Sequence, residues 1–127
     1  MSYELAPVVL YSQDRNRMLN FLSDVFEFEV NEVDYSVSVA SLSEIISFKI
    51  ENQTHNTNSN ISPIEFNFKL QSVIDLKELE NKFNFFIYRR NEPGLFEEMS
   101  HLDSENETAI VFYDIDRRPW RFFAKKV

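Results

Sequence analysis

Apolar and polar residues alternate along this chain in short runs, interrupted twice by a helical stripe, and the same order of runs occurs twice. Val8 to Tyr11 forms the first apolar run. Asp14 then offers a helix N-cap, and Met18, Leu19, Phe21, Leu22, Val25 and Phe26 recur at helical spacing. Tyr35, Val37 and Val39 alternate with Ser36, Ser38 and Ala40, and Ile46, Phe48 and Ile50 alternate with Ser47, Lys49 and Glu51. Each pattern predicts a strand with one buried face. The second cycle opens with Ile64, Phe66, Phe68 and Leu70 alternating with Glu65, Asn67 and Lys69. Ser72 to Asp75 has capping-box spacing, and Leu76, Leu79 and Phe83 carry a second helical stripe. Phe85–Tyr88, Thr108–Tyr113 and Trp120–Lys125 are expected to be strands.

These runs predict an α+β fold of two βαβββ modules, module one over about 5–52 and module two over about 63–127. Residues 53–62 are polar, Asn-rich and aperiodic, and are expected to form the loop between them. A ferredoxin-like βαββαβ sandwich is the rival arrangement, but it leaves the strands after Val37 and Thr108 as insertions. Alternation also assigns faces. With Ile64, Phe66, Phe68, Ile46, Phe48, Ile50, Trp120, Phe122 and Ala124 turned to the helices, the opposite face carries Ser47, Lys49, Glu51, Glu65, Asn67, Lys69, Arg121, Phe123 and Lys125. That face is mixed, with aromatic Tyr11 and Phe123 among its charges.

Composition narrows the function classes. The 127 residues fit one domain, and thirteen Phe within 43% hydrophobic content supply a core. A net charge of −8 disfavours nucleic acid, whose binding needs a basic surface. No apolar run approaches the ~20 residues of a membrane helix. With no signal-like N-terminus, the expected compartment is the cytoplasm. The absence of cysteine removes thiol nucleophiles and Cys metal sites. His55 and His101 fall in expected loops, so no Ser-His-Asp arrangement is visible and no catalytic residue is assigned. One glycine cannot build a phosphate-binding loop. Glu92, Glu97, Glu98, Asp103, Glu105 and Glu107 lie in a stretch without Lys or Arg, expected to be a solvated loop. Asp114 and Asp116 have the spacing of turn residues that bond nearby backbone.

Two segments carry a family resemblance. Phe21-Leu-Ser-Asp-Val-Phe26-Glu-Phe28-Glu-Val30 resembles the helix-to-strand segment of the vicinal oxygen chelate superfamily, which includes glyoxalase I, extradiol dioxygenases and bleomycin-resistance proteins. Asp114-Ile-Asp116-Arg-Arg-Pro-Trp120-Arg121 is similar to its Asp-Pro-Asp-Gly-Asn turn and following strand. Glu27 and Arg117 stand where that pattern has glycine. The resemblance implies that both modules form one curved, cup-like mixed sheet with the helices outside, and that the protein pairs as a homodimer. Metal-dependent members hold an ion with residues on the first and last strands of each module. Those places correspond to Pro7, the neighbourhood of Lys49, Glu65 and Arg121. Only Glu65 offers a metal donor, so neither a metal site nor a cofactor is expected.

The resulting expectation is a metal-free, non-catalytic protein that binds or sequesters a small molecule in the cup. Tyr11, Lys49, Glu65, Asn67, Lys69, Arg121 and Phe123 are the candidate ligand-binding residues, with Arg121 expected to pair with Glu65. The alternatives are a divergent metal-dependent lyase or dioxygenase built around Glu65, or a protein-interaction module with a filled cup.

Overall fold

A computed structural model describes residues 1–3, 6–34, 37–42, 46–52 and 64–127. The expected loop at 53–62, together with Tyr35 and His55, lies outside the described residues. The chain divides into two compact units, Met1–Thr57 and Asn58–Val127. Each is a βαβββ module.

The first unit runs β1 (Val8–Ser12), α1 (Arg15–Phe26), β2 (Glu29–Asp34), β3 (Val37–Leu42) and β4 (Ile46–Asn52). Its four strands are ordered β1-β4-β3-β2, with β1 parallel to β4 and the other pairs antiparallel. The helix starts where the sequence predicts. Asp14 has extended backbone and its side chain accepts from the Arg17 N–H at 3.1 Å. The buried Ser12 hydroxyl accepts from the Asp14 N–H at 3.2 Å and fixes the entry turn. Met18, Phe21, Leu22 and Val25 are wholly buried in α1, and Leu10, Ala40, Phe48 and Ile50 are buried in the sheet. Phe26 and Phe28 pack at 5.8 Å, and Phe28 stacks on Phe48 at 6.0 Å, which carries the aromatic core from the helix end onto β4.

The second unit repeats the plan with β5 (Phe66–Lys69), α2 (Val73–Arg89), β6 (Glu98–Asp103), β7 (Glu107–Tyr113) and β8 (Pro119–Lys125). The order is β5-β8-β7-β6, again with first and last strands parallel. Ser72 caps α2 by accepting from the Asp75 N–H at 3.4 Å. The wholly buried Trp120 lies against Phe66 at 4.7 Å and Phe68 at 6.4 Å. Phe83 of α2 reaches Phe112 at 5.4 Å, so Trp120, Phe122 and Phe112 define the helix-covered face.

Three expectations need correction. Phe85–Tyr88 is not a strand but the last full turn of α2. The stripe Leu76, Phe83 and Phe86 is buried at helical spacing, leaving Phe85 and Tyr88 on the solvent side. The acidic stretch is not a continuous loop, because Glu98–Asp103 forms β6 and places His101 on a strand. Its side chains are mostly exposed, so the segment lacks the one-sided alternation that marks a buried strand. Ile64, expected in the core, precedes β5 and is 59% exposed. The helix-to-strand segment continues, as the βαβββ plan requires, into the edge strand β2.

Both positions where the resemblance leads one to expect glycine have left-handed backbone. Glu27 has φ 61° at the C-terminus of α1, its N–H reaching the Leu22 and Ser23 carbonyls, and Arg117 has φ 65°. A side chain there costs roughly 1–2 kcal/mol, partly offset by the greater unfolded-state freedom of glycine. Glu27→Gly is therefore expected to stabilise the protein by about 0.5–1 kcal/mol in urea unfolding. Arg117→Gly is expected to change stability by less, because it also removes an exposed ion pair to Glu98 at 3.0 Å and a ring contact to Phe96.

Candidate functional site

The strand registers set out what the face of each sheet away from its helix offers. In the first unit, Val9 lies opposite Lys49 and Tyr11 opposite Glu51, on the face away from the buried Leu10, Phe48 and Ile50. Tyr11 is 52% exposed, and Lys49 Nζ pairs with Glu51 Oε1 at 3.0 Å.

In the second unit, Asn67 lies opposite Arg121 and Lys69 opposite Phe123, with Arg121 opposite Val111 and Phe123 opposite Ala109. Val111 and Ala109 are buried, so Arg121 and Phe123 have apolar cross-strand neighbours on this face. Arg121 places its guanidinium carbon 4.8 Å from the centre of the Phe123 ring. Its Nη2 donates to Glu107 Oε1 at 2.5 Å. Both charged side chains are partly shielded, Arg121 at 25% and Glu107 at 34% exposure. Arg121, Phe123 and Glu107 therefore form one cluster, flanked in register by Asn67 and Lys69, both exposed.

The expected Arg121–Glu65 pair is not formed. Glu65 precedes β5 and is exposed, whereas Glu107 begins β7, the antiparallel neighbour of β8, and reaches Arg121 diagonally on the same face. The sequence treated Glu107 as one acidic loop residue among several, and its partner became visible only with the β7–β8 register. At the places where the resemblance implies metal ligands stand Pro7, the neighbourhood of Lys49, Glu65 and Arg121. One imino acid, two cations and a single exposed carboxylate do not fit a divalent ion. His101 sits at the helix-covered edge of the second sheet, with Nε2 3.4 Å from Glu80 of α2.

Asp114 and Asp116 follow the turn reading. Asp114 is wholly buried, and its Oδ1 accepts from the N–H groups of Asp116 at 2.8 Å and Arg118 at 3.0 Å. Its Oδ2 accepts from Arg118 Nη1 and from the Trp120 indole N–H, each at 2.9 Å. This carboxylate builds the β7–β8 turn and anchors the tryptophan of the next strand.

No family model and no curated protein matches the sequence. Solved structures do match. A hypothetical protein, SA1046, from S. aureus superposes with TM-score 0.75 at 13% identity, covering 98% of this chain and 95% of that one. The fosfomycin resistance protein FosX from Mesorhizobium loti gives 0.68 at 18% identity, covering 100% and 96%. A glyoxylase/bleomycin resistance protein/dioxygenase domain from Frankia sp. EAN1pec gives 0.68 at 12% identity, covering 99% and 94%. The chain has the vicinal oxygen chelate fold. That fold accounts for the twofold βαβββ plan, with each parallel pair joining the first and last strands of its module.

Burial pushes the Asp114 carboxyl above the ordinary aspartate range, while Arg118 and the Trp120 N–H pull it back. With the folded value above the unfolded one, protonation favours the folded state. Asp114's contribution is thus largest below about pH 4 and declines as the pH rises through the folded value. Asp114→Asn puts an amide against two donors and is expected to cost about 3 kcal/mol at neutral pH. The deficit relative to wild type should widen as the pH falls from neutral towards about 4. Exposed Asp103, held low by its hydrogen bond from Lys126, has the opposite pH dependence but cancels because both proteins carry it. Denaturant unfolding followed by Trp120 emission provides the measurement, and a narrowing deficit would contradict the assignment.

Proposed function

We propose that this protein is a metal-free, non-catalytic member of the vicinal oxygen chelate superfamily that binds a small molecule on the face of its second sheet away from the helix. The carrying observation is Arg121. It occupies a place where the resemblance puts a metal ligand, and it is held over Phe123, with buried Val111 and Ala109 as the cross-strand neighbours of the pair.

A permanently charged guanidinium supplies at that place a cation that requires no loading. Arg121, with Lys69 and Asn67 beside it, suits an anionic group, while the Phe123 ring suits an adjoining apolar part. One similar structure, a mutant of FosX from Listeria monocytogenes, is a complex with Mn(II) and 1S,2S-dihydroxypropylphosphonic acid, with TM-score 0.67 at 18% identity. That precedent supports looking for small oxyanions, with Arg121 contributing positive charge in this chain. Tyr11 and Lys49 on the first sheet remain candidates for ligand contacts in their own unit.

A thermal-shift screen of small anionic, neutral and cationic compounds tests this reading, alongside mass-spectrometric metal analysis of untagged protein purified without chelator. The expected result is a compound that raises the melting temperature of wild type and loses most of its effect in Arg121→Gln, with no stoichiometric divalent metal. Stoichiometric zinc, iron, manganese or nickel, or full ligand stabilisation of Arg121→Gln, would overturn it.

A further inference from the structure

The cluster around Arg121 also contains what a ligand must displace. Resting on the binding reading above, we propose that Glu107 is an internal competitor for the Arg121 anion site and that the site selects a doubly charged oxyanion of the phosphonate type carried on an apolar group.

Glu107 is the first residue of β7 and lies in register with Lys125, not with Arg121. In-register residues of an antiparallel pair project on the same face with their Cβ atoms close together. Glu107 nevertheless reaches diagonally across Phe123 to donor Nη2 of Arg121. It thus has two cations within its arc, the one it holds and the exposed Lys125 directly opposite it. A ligand anion arriving at Arg121 leaves Glu107 with an alternative partner, so displacement does not strand a partly shielded carboxylate.

The contact with Glu107 engages a single guanidinium nitrogen, whereas the planar fork can present two parallel N–H groups to one oxyanion. Lys69, opposite Phe123 on the parallel strand, places a second cation beside the same ring. A monoanion exchanges one carboxylate for another at Arg121 and gains little. A dianion can engage both Arg121 and Lys69 while its apolar group lies along Phe123. A neutral compound has nothing with which to replace Glu107.

Titration calorimetry with phenylphosphonate, benzoate and phenol in mildly alkaline buffer tests this, using full-length wild type, Glu107→Gln, Arg121→Gln, Lys125→Gln and Glu105→Gln. Folding of each variant is checked by its melting curve. Wild type should bind phenylphosphonate more tightly than benzoate and should not bind phenol. Glu107→Gln should tighten both anions by roughly three- to tenfold, because the competing carboxylate is gone. Lys125→Gln should weaken them by removing the alternative partner of Glu107. Arg121→Gln should abolish binding. Glu105, exposed in the adjoining β6–β7 turn, controls for net charge, and Glu105→Gln should change nothing. Equal tightening in the Glu105 and Glu107 variants, or unchanged affinity in Glu107→Gln, would overturn the competitor role. Absence of phenylphosphonate binding in both wild type and Glu107→Gln would overturn the ligand class, while the broader compound screen separately decides whether the protein binds small molecules.

Discussion

Asp114 ties the β7–β8 turn to the largest buried side chain of the second sheet, and the faces of that sheet depend on the connection. Two backbone N–H groups, one guanidinium and one indole converge on its carboxyl oxygens. Removing a carboxylate from water is costly, and this degree of hydrogen bonding is what allows it to be buried. The bond to Trp120 matters beyond its own energy. It fixes where β8 begins relative to the turn, and so which residues of β8 face the helix. A slip of one residue would move Trp120 and Phe122 to the open face and turn Arg121 and Phe123 into the core. The chemistry proposed for Arg121 is therefore secured by a residue with no part in binding.

The same turn shows how this chain departs from its fold's usual local chemistry without changing its geometry. Arg117 and Glu27 hold left-handed backbone that glycine would adopt without a side-chain penalty. At Glu27 the constraint comes from the helix end, whose carbonyls at Leu22 and Ser23 need the N–H that only this conformation supplies. At Arg117 it comes from Asp114, whose carbonyl accepts from the Arg117 N–H at 3.0 Å and whose side chain binds the residues on either side. In both cases hydrogen bonds impose the backbone, and the side chain is tolerated.

Much of this was legible in the sequence because it follows from periodicity. The alternation around Phe48, Phe66 and Trp120 identified the strands and their buried sides, and Asp14 and Ser72 marked both helix starts. What failed did so for identifiable reasons. Phe85-Phe86-Ile87-Tyr88 is apolar at every position, and such a run fits a strand or a helix equally until the preceding stripe is extended through Phe86. β6 is an edge strand whose exposed side chains carry no one-sided pattern, so its acidic residues looked like a loop. Arg121 was placed on the open face from alternation alone, but its partner was not. Pairing across neighbouring strands depends on register, and Glu107 entered the same face only because β7 pairs with β8 as it does.

A guanidinium at a ligand position poses a problem that a carboxylate or imidazole there would not. The Arg121 guanidinium is largely shielded from solvent and lies against an aromatic ring. Such a charge needs a counter-charge, or it must be hydrated at the expense of its packing. Glu107 supplies one from the adjacent strand. Because the pair remains about one-quarter to one-third exposed, solvent screens it and its net stabilisation is small. A weak internal pair neutralises the resting site yet can be exchanged for an external anion at little cost. A deeply buried pair would fasten Arg121 too firmly to exchange, and a fully exposed one would neither orient it nor discriminate among anions. The intermediate burial of Arg121 and Glu107 is thus the physical condition under which a structural ion pair can also serve as a binding site.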